Sequence, residues 1–442
     1  MELEKLAEQN PWWKGKEFVE KDYDLIKWKA KKCAWVPGFI EKIKFEPFSL
    51  HVLLGPRQVG KTTALKLLIK KLLEKKEPQS FFYFNCEDVA DYKELEIIIK
   101  NYLELKAGWG IKHSVIILDE VTSPKEWYRA IKLLIDKGDL RDEVVILSGS
   151  SSIAIKRQTE LFPGRRGRGR DFTLFPLSFR EFIKITQPQI YKKIEPITNF
   201  AELKEKSAKA MLHFKELDQE LKKYFSVGGF PLGIEAMDNN KEEAKRTYLN
   251  WIKTTILKNG RNDLIARQIL KSVIEKMPSP MSWEGLSKEI EIKSPKTVSA
   301  YLDLLQAMFV LIILHNLDLS SKKIKFGKNK KIHLLDPLLL EILEDWCFIS
   351  RKERESLLAE SLVAVHLQRF YPERVFFWRG NFEYDCLVME NNKLHGFEVK
   401  WSEEPEAKKL PQLKELAVIT KKDFSLKFNQ IPLAVFLAVL AV

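Results

Sequence analysis

Residues 55–63 read Gly-Pro-Arg-Gln-Val-Gly-Lys-Thr-Thr, and this run restricts the chain more than any other. Gly55, Pro56, Arg57, Gln58, Val59, Gly60, Lys61 and Thr62 satisfy G-x-x-x-x-G-K-[ST] without a mismatch, and Thr63 follows. The flanks suit the pattern. SLHVLLG before it is apolar and β-prone, and KTTALKLLIKKLLEKKE after it places Ala64, Leu65, Leu68, Ile69, Leu72 and Leu73 on one helical face. Glycines let the backbone bend until its N–H groups converge on phosphate oxygens at a helix N-terminus. Lys61 would bring charge to the terminal phosphates, and the Thr62 hydroxyl would ligate Mg²⁺. The stretch predicts a P-loop in an α/β sheet, with residues 55–63 binding ATP.

A P-loop needs an acidic partner. HSVIILDEVTS supplies four apolar residues, Val115 to Leu118, followed by Asp119 and Glu120. Such a run predicts a buried parallel strand with its carboxylates at the C-terminal end, where open α/β sheets bind ligands. Asp119 is expected in the Mg²⁺ shell, and Glu120 is expected to orient and deprotonate the attacking water. Another apolar strand, EVVILSGSSS, ends in hydroxyls. Downstream, Arg165, Arg166, Arg168 and Arg170 crowd together. Arg165 is the candidate arginine finger, acting across a subunit interface of a homo-oligomer; the alternative is a basic loop that touches phosphates or nothing.

A chain of 442 residues exceeds what one hydrophobic core supports. Its net charge of +13 favours an anionic partner such as DNA or another nucleic acid, although Lys- and Glu-rich ion-pair networks give a similar composition. The four cysteines show neither zinc spacing nor a disulfide framework, which points to a reducing cytoplasm. The first residues lack the apolar core of a signal peptide. The last twelve, IPLAVFLAVLAV, are too few to span a bilayer; they predict a buried terminal strand, and no membrane partner is expected.

Residues 190–260 are amphipathic and highly charged, and predict helices interrupted by VGGFPLG. Residues 263–337 predict three helices and a hairpin: DLIARQILKSVIEKM, SWEGLSKEI with Ser282 as N-cap, and SPKTVSAYLDLLQAMFV with Ser294 as N-cap and Pro295 at the first helical position. The strands LIILHNL and KKIHLLD flank a tip carrying Lys322, Lys323, Lys325, Lys328, Lys330 and Lys331. That is a winged-helix pattern, in which the third helix enters the DNA major groove and the wing touches phosphates, or else a spacer between domains.

In FEYDCLVMENNKLHGFEVKWS a turn at Asn391-Asn392 pairs positions that sum to 783, setting Asp385 opposite Glu398 and Glu383 opposite Lys400. Alternation puts these four on one face. Opposed like charges destabilise a strand pair, and a divalent cation between Asp385 and Glu398 would reverse that sign. The pattern D…E-x-K predicts a metal site with Lys400 assisting a water.

Taken in order, NPWW, GPRQVGKTT, LDEV, LSGSSS, PGRRG, FPLSFREF, GGFP, PKTVSAYLDLL, LLDPLLL and FEVKWS resemble the prokaryotic, mainly archaeal, AAA-like P-loop ATPases that carry a winged helix and a C-terminal PD-(D/E)xK nuclease-like domain. The resemblance implies an α/β P-loop AAA-like core at 51–190 behind an N-terminal segment at 1–50. A helical lid at 191–262, a winged helix at 263–337 and an α/β restriction-endonuclease-like domain at 338–442 come next. It implies that Ser148 senses the γ-phosphate, that GGFP lies near the nucleotide, and that Glu360 is the helical acid of the nuclease fold. The expected function is ATP hydrolysis coupled to nucleic-acid or partner-protein engagement; the alternative is a nucleotide-gated switch with an inactive nuclease-like scaffold.

Overall fold

The computed structural model describes residues 3–149, 164–237, 241–292, 294–401 and 407–442. The chain divides after Phe175 into two compact units.

The first unit is built on five strands: β1 (Ser49–Leu54), β2 (Phe81–Asn85), β3 (Ser114–Asp119), β4 (Glu143–Ser148) and β5 (Asp171–Thr173). Their order is β2-β3-β4-β1-β5, and every pairing is parallel. β1, β3 and β4 are buried at every residue, as their predominantly apolar sequences require. Helices Lys61–Leu72, Tyr92–Gly108 and Tyr128–Lys137 follow β1, β2 and β3. With all strands parallel, Leu54, Asn85, Asp119 and Ser148 finish at one edge of the sheet.

The outer edge of β2 would leave main-chain groups unpaired, and the N-terminal segment satisfies them with side chains. Asn10 Nδ2 donates to Tyr83 O (2.9 Å), and Asn10 Oδ1 accepts from Tyr83 N (2.7 Å). The indole N–H groups of Trp12 and Trp13 both donate to Phe81 O, at 3.0 and 2.9 Å, and Gln9 Oε1 accepts from Asn85 N. Asn10 and Trp12 are fully buried. The NPWW stretch therefore acts as a sixth strand made of side chains.

The second unit begins with the FPLSFREF stretch. Ser178 closes a capping box with Glu181 on helix Phe179–Thr186, and Phe179 and Phe182 pack on Tyr224 of helix Phe214–Val227. Residues 176–190 fall in the second unit. Helices Leu203–Ala210 and Glu242–Lys258 complete the helical stretch. Helices Asp263–Lys276, Trp283–Glu289 and Pro295–Ala307 then precede an antiparallel pair, β6 (Leu311–His315) and β7 (Lys330–Leu334). After helices Pro337–Cys347 and Arg354–Phe370 comes a second sheet: β8 (Val375–Arg379), β9 (Glu383–Glu390), β10 (Lys393–Lys400), β11 (Leu413–Thr420) and β12 (Gln430–Pro432). Its order is β12-β11-β10-β9-β8. Residues 191–262, 263–337 and 338–442 all lie in the second unit.

The terminal apolar run corrects one expectation. Only Gln430–Pro432 is strand; Leu433–Val439 is a helix buried at every residue. An apolar run without alternation carries no period that separates a buried strand from a buried helix. Among the described residues, no helix is long and apolar enough to cross a membrane.

The GGFP and LLDP stretches explain each other. Gly228 has φ +67°, and a Cβ there would sit 1.9 Å from Asp336 Oδ1, so both the dihedral and the space demand glycine. Asp336 Oδ2 accepts from Gly229 N at 2.7 Å, and Oδ1 accepts from Leu338 N at 3.0 Å as the N-cap of helix Pro337–Cys347. Replacing Asp336 by alanine leaves two buried amides without acceptors, at a cost of about 2–4 kcal/mol. Urea unfolding of the full chain should show the transition of the second unit moving to lower denaturant, by that loss divided by the slope of the transition; an unchanged midpoint would contradict this account of the motif.

Candidate functional site

The phosphate-binding candidates converge at the strand ends of the first unit. Gly60 has φ +94° and ends the loop, so that helix Lys61–Leu72 opens with its first N–H groups free of intrahelical partners. Val59 anchors the loop in the core, while Gln58 and Gly60 are exposed. Lys61 lies 7% exposed and folds back, donating to Gly55 O at 3.0 Å and Pro56 O at 2.9 Å. Burial pulls its ammonium down to about 8, against the opposing pull of Glu120 and Asp119.

Across the loop, Thr62 Oγ1 donates to Asp119 Oδ2 at 2.6 Å. Asp119 is fully buried at the end of β3, and its other oxygen accepts the Glu120 amide. Glu120 follows with φ +49°, a turn that ends the strand and leaves this carboxylate partly exposed beside a buried one. Thr62 and Asp119 offer a hydroxyl and a carboxylate oxygen, the hard donors Mg²⁺ takes alongside phosphate oxygens. Ser148 ends β4 next to Leu53 of β1. Its hydroxyl is buried and finds no partner among the described residues, so it is free to meet a ligand group at this edge.

Arg165 does not join them. Its guanidinium pairs with Asp136 at 2.6 Å; Arg166 pairs with Asp171, and Arg168 with Glu46. Arg166 O accepts from Leu50 N, and Arg170 O accepts from Val52 N, so the run lies along the start of β1. About 13 Å of strand separates Leu50 from the P-loop end at Leu54. Arg165, Arg166 and Arg168 are each engaged by a carboxylate outside the P-loop. Residues 150–163, including the rest of LSGSSS, lie outside the described residues.

Two features escaped the sequence. Tyr83 Oη donates to Asp119 Oδ2 at 3.1 Å, and its ring lies beneath the Lys66 ammonium, 3.7 Å away. Lys66 also forms a buried ion pair with Asp22 at 2.9 Å. The N-terminal segment therefore reaches the acidic strand end through Asp22, Lys66 and Tyr83. In FFYFN, Tyr83 stands among apolar aromatics, and nothing there distinguishes its hydroxyl.

In the second unit the expected hairpin forms in the expected register. Lys393 pairs with Glu390 and Phe397 with Cys386, about a turn whose Asn391 and Asn392 both have positive φ. Just beyond the paired residues, Val399 N donates to Asp385 Oδ2 at 2.7 Å. The cation among these acids, however, is Lys331. It was expected among the exposed tip lysines but is 1% exposed, lying 2.5 Å from Glu360, 2.5 Å from Glu383 and 2.8 Å from Asp385. Burial lowers its pKa, but the three carboxylates more than reverse this and hold it well above the usual lysine value. Burial and Asp385 push Glu360 up to about 8. Glu398 pairs with Lys400 at 2.7 Å. Among the described residues, no group of three or more His, Cys, Asp or Glu side chains is arranged to hold a metal ion. The donor chemistry at Asp385 and Glu398 suits a divalent cation, but each is already engaged by an ammonium, Asp385 by Lys331 and Glu398 by Lys400.

Comparison with known proteins agrees with the first unit. Residues 48–183 match a family described as an AAA domain, AAA_14. Residues 218–346 and 356–434 match two domains of unknown function, DUF8612 and DUF4143. Among curated relatives, the uncharacterized protein MJ1544 of Methanocaldococcus jannaschii is 27% identical over 379 residues, covering 82% of this chain and 77% of the relative. MJ1637 of the same organism is 25% identical over 387 residues, 81% of this chain and 74% of the relative. Among solved structures, the Walker-type ATPase PABY2304 of Pyrococcus abyssi aligns with a TM-score of 0.40 at 13% identity, covering 67% of this chain and 91% of that one. The strand order, the P-loop and the AAA match together support an α/β P-loop ATPase core that binds nucleotide.

If Lys61 meets the phosphates of a bound nucleotide, it links pH to affinity. Phosphate favours the charged ammonium, so binding above pH 8 must take up a proton, because the free side chain titrates at about 8. Affinity should then fall as pH rises from 8 to 9.5, approaching about tenfold per unit. Calorimetry in buffers of different ionisation heat should record proton uptake at pH 9. A flat affinity across this range would place the free-state Lys61 pKa elsewhere.

Proposed function

We propose that the first unit binds ATP at residues 55–63 and hydrolyses it. The observation that carries this reading is the Thr62–Asp119 hydrogen bond, which joins the N-terminus of the P-loop helix to a buried carboxylate, with the unpartnered Ser148 hydroxyl on the adjoining strand. The Mg²⁺ that accompanies ATP would be held by Thr62 and Asp119 and would supply Lewis-acid stabilisation of phosphate charge. Lys61 leaves the Gly55 and Pro56 carbonyls for the terminal phosphates, and the loop amides hold the remaining phosphate oxygens. Glu120 takes a proton from water as the water oxygen bonds to the γ-phosphorus and the bond to the β-phosphate oxygen breaks. Ser148 places that water or the γ-phosphate. Arg165, released from Asp136, would serve a neighbouring copy.

Hydrolysis would be coupled to engagement of a nucleic acid or a partner protein by the second unit. Support comes from the winged-helix-like order of its three helices and hairpin, and from the exposed basic tip bearing Lys322, Lys323 and Lys328 around an exposed Phe326. A second reading, a slow nucleotide-gated switch with an inert nuclease-like scaffold, is favoured by Lys331 at the centre of the carboxylate cluster.

Lys61→Ala should abolish tight ATP binding. Glu120→Gln should keep binding and lower turnover by at least about a hundredfold. Turnover in Glu120→Gln equal to the parent would remove Glu120 from the mechanism. Stimulation of the parent by DNA separates the coupled ATPase from the switch, which turns over slowly with or without it. If Arg165 acts in trans, activity per chain rises with protein concentration, and mixing Glu120→Gln with Arg165→Ala chains restores turnover; concentration-independent activity of a monomer would exclude that role.

A further inference from the structure

Tyr83 lies two residues before the end of β2, paired with Ile117 of β3, while Asn85 pairs with Asp119. Alternation puts Tyr83, Asn85, Ile117 and Asp119 on one face, and the diagonal from Tyr83 to Asp119 is within reach of an aromatic side chain. The Tyr83 hydroxyl spans it, donating to Asp119 Oδ2 at 3.1 Å. The same oxygen accepts from Thr62 Oγ1 at 2.6 Å, and Oδ1 accepts from Glu120 N at 3.1 Å. Donors from the P-loop helix, from β2 and from the turn after β3 thus fix one buried carboxylate.

Tyr83 is itself held on several sides. Asn10 grips both of its main-chain groups. The Lys66 ammonium stands 3.7 Å from the centre of its ring and pairs with Asp22 Oδ2 at 2.9 Å. Asp22 Oδ1 meanwhile caps helix Tyr23–Lys29, accepting from Asp24 N and Leu25 N. Lys66 and Asp22 are both buried, so removing one partner leaves the other charge uncompensated. Lys66 lies one helical turn beyond Thr62. The contacts therefore close a ring: Thr62 to Asp119, Asp119 to Tyr83, Tyr83 to Lys66, and Lys66 back along the helix to Thr62. Asn10 and Asp22 precede residue 48, where the match to the AAA domain begins.

We infer that Tyr83 is a positioning residue for Asp119, and that the N-terminal segment acts on this carboxylate through Asp22, Lys66 and Tyr83. The inference rests on the reading of Thr62 and Asp119 as the residues that hold the Mg²⁺ accompanying ATP. A group that orients a metal-holding side chain typically contributes about ten- to a hundredfold to metal affinity, because a side chain already aimed loses less freedom when the ion arrives. A phenol is a neutral donor near pH 7. It orients Asp119 without cancelling the charge that attracts the ion, while the nearby Lys66 charge is balanced by Asp22. The role of Tyr83 is thus to set how well the site takes the ion, and not to touch the nucleotide.

The test titrates the full-length chain with a non-hydrolysable ATP analogue, in EDTA and at rising Mg²⁺. Loop amides and Lys61 meet phosphate without the ion. Tyr83→Phe keeps the ring and loses only the hydroxyl, so its affinity in EDTA should equal that of the parent. The Mg²⁺ concentration giving half of the gain in affinity should rise about tenfold. Asp22→Asn, with its fold checked by circular dichroism, should shift in the same direction with Tyr83 intact; it carries the test should Tyr83→Phe fail to fold. A Tyr83→Phe response to Mg²⁺ equal to the parent's overturns the inference. So does a loss of affinity that is the same with and without Mg²⁺, which marks a merely structural hydroxyl. An Asp22→Asn response equal to the parent's overturns the part given to the N-terminal segment. A parent that binds no nucleotide, or binds it regardless of Mg²⁺, overturns the reading of the ATP site and this inference with it, and that failure shows before any substitution is made.

Discussion

Burial of a parallel sheet on both faces governs the first unit. Once β1, β3 and β4 are covered along their whole length, polar chemistry has no place on the faces and collects where the strands stop. Leu54, Asn85, Asp119 and Ser148 end together because every pairing is parallel and in register. The P-loop, the acidic pair and the lone hydroxyl are thus one site by topology, although about 30 to 90 residues separate them in sequence. The Thr62–Asp119 hydrogen bond is the closest contact of that convergence.

The same sheet has an edge, and the way it is closed connects the N-terminal segment to the site. Side chains of Gln9, Asn10, Trp12 and Trp13 occupy the outward main-chain groups of β2. Such an edge is protected against pairing with another chain. Tyr83, whose main chain is held by Asn10, places its hydroxyl on Asp119. The closure of the edge and the position of the acidic strand end are therefore mechanically linked through one residue.

The second unit balances charge internally. Lys331 holds three carboxylates, Asp336 holds the Gly229 turn and a helix start, and Ser178 caps the first helix. These contacts join stretches that look like separate modules by composition. Polar side chains buried at such crossings specify one arrangement, because leaving any of them unpaired costs more than the pairing returns.

Where local pattern decides, the sequence is sufficient. The P-loop with its flanking strand and helix, the apolar strands ending in Asp119 and Ser148, the Ser282 cap and the Asn391–Asn392 hairpin register are all set by neighbours within about ten residues. The terminal helix Leu433–Val439 is not, since an unbroken apolar run has no period to choose between strand and helix. Lys331 is not, because its neighbours are solvent-facing lysines and only the approach of β9 and helix Arg354–Phe370 gives it three acidic partners. Arg165 is not, because its partner Asp136 comes from helix Tyr128–Lys137, some thirty residues earlier. Sequence determines which residues can bind phosphate, bend or pair; tertiary structure decides which charges meet, because Coulomb energy depends on distances that no local pattern encodes.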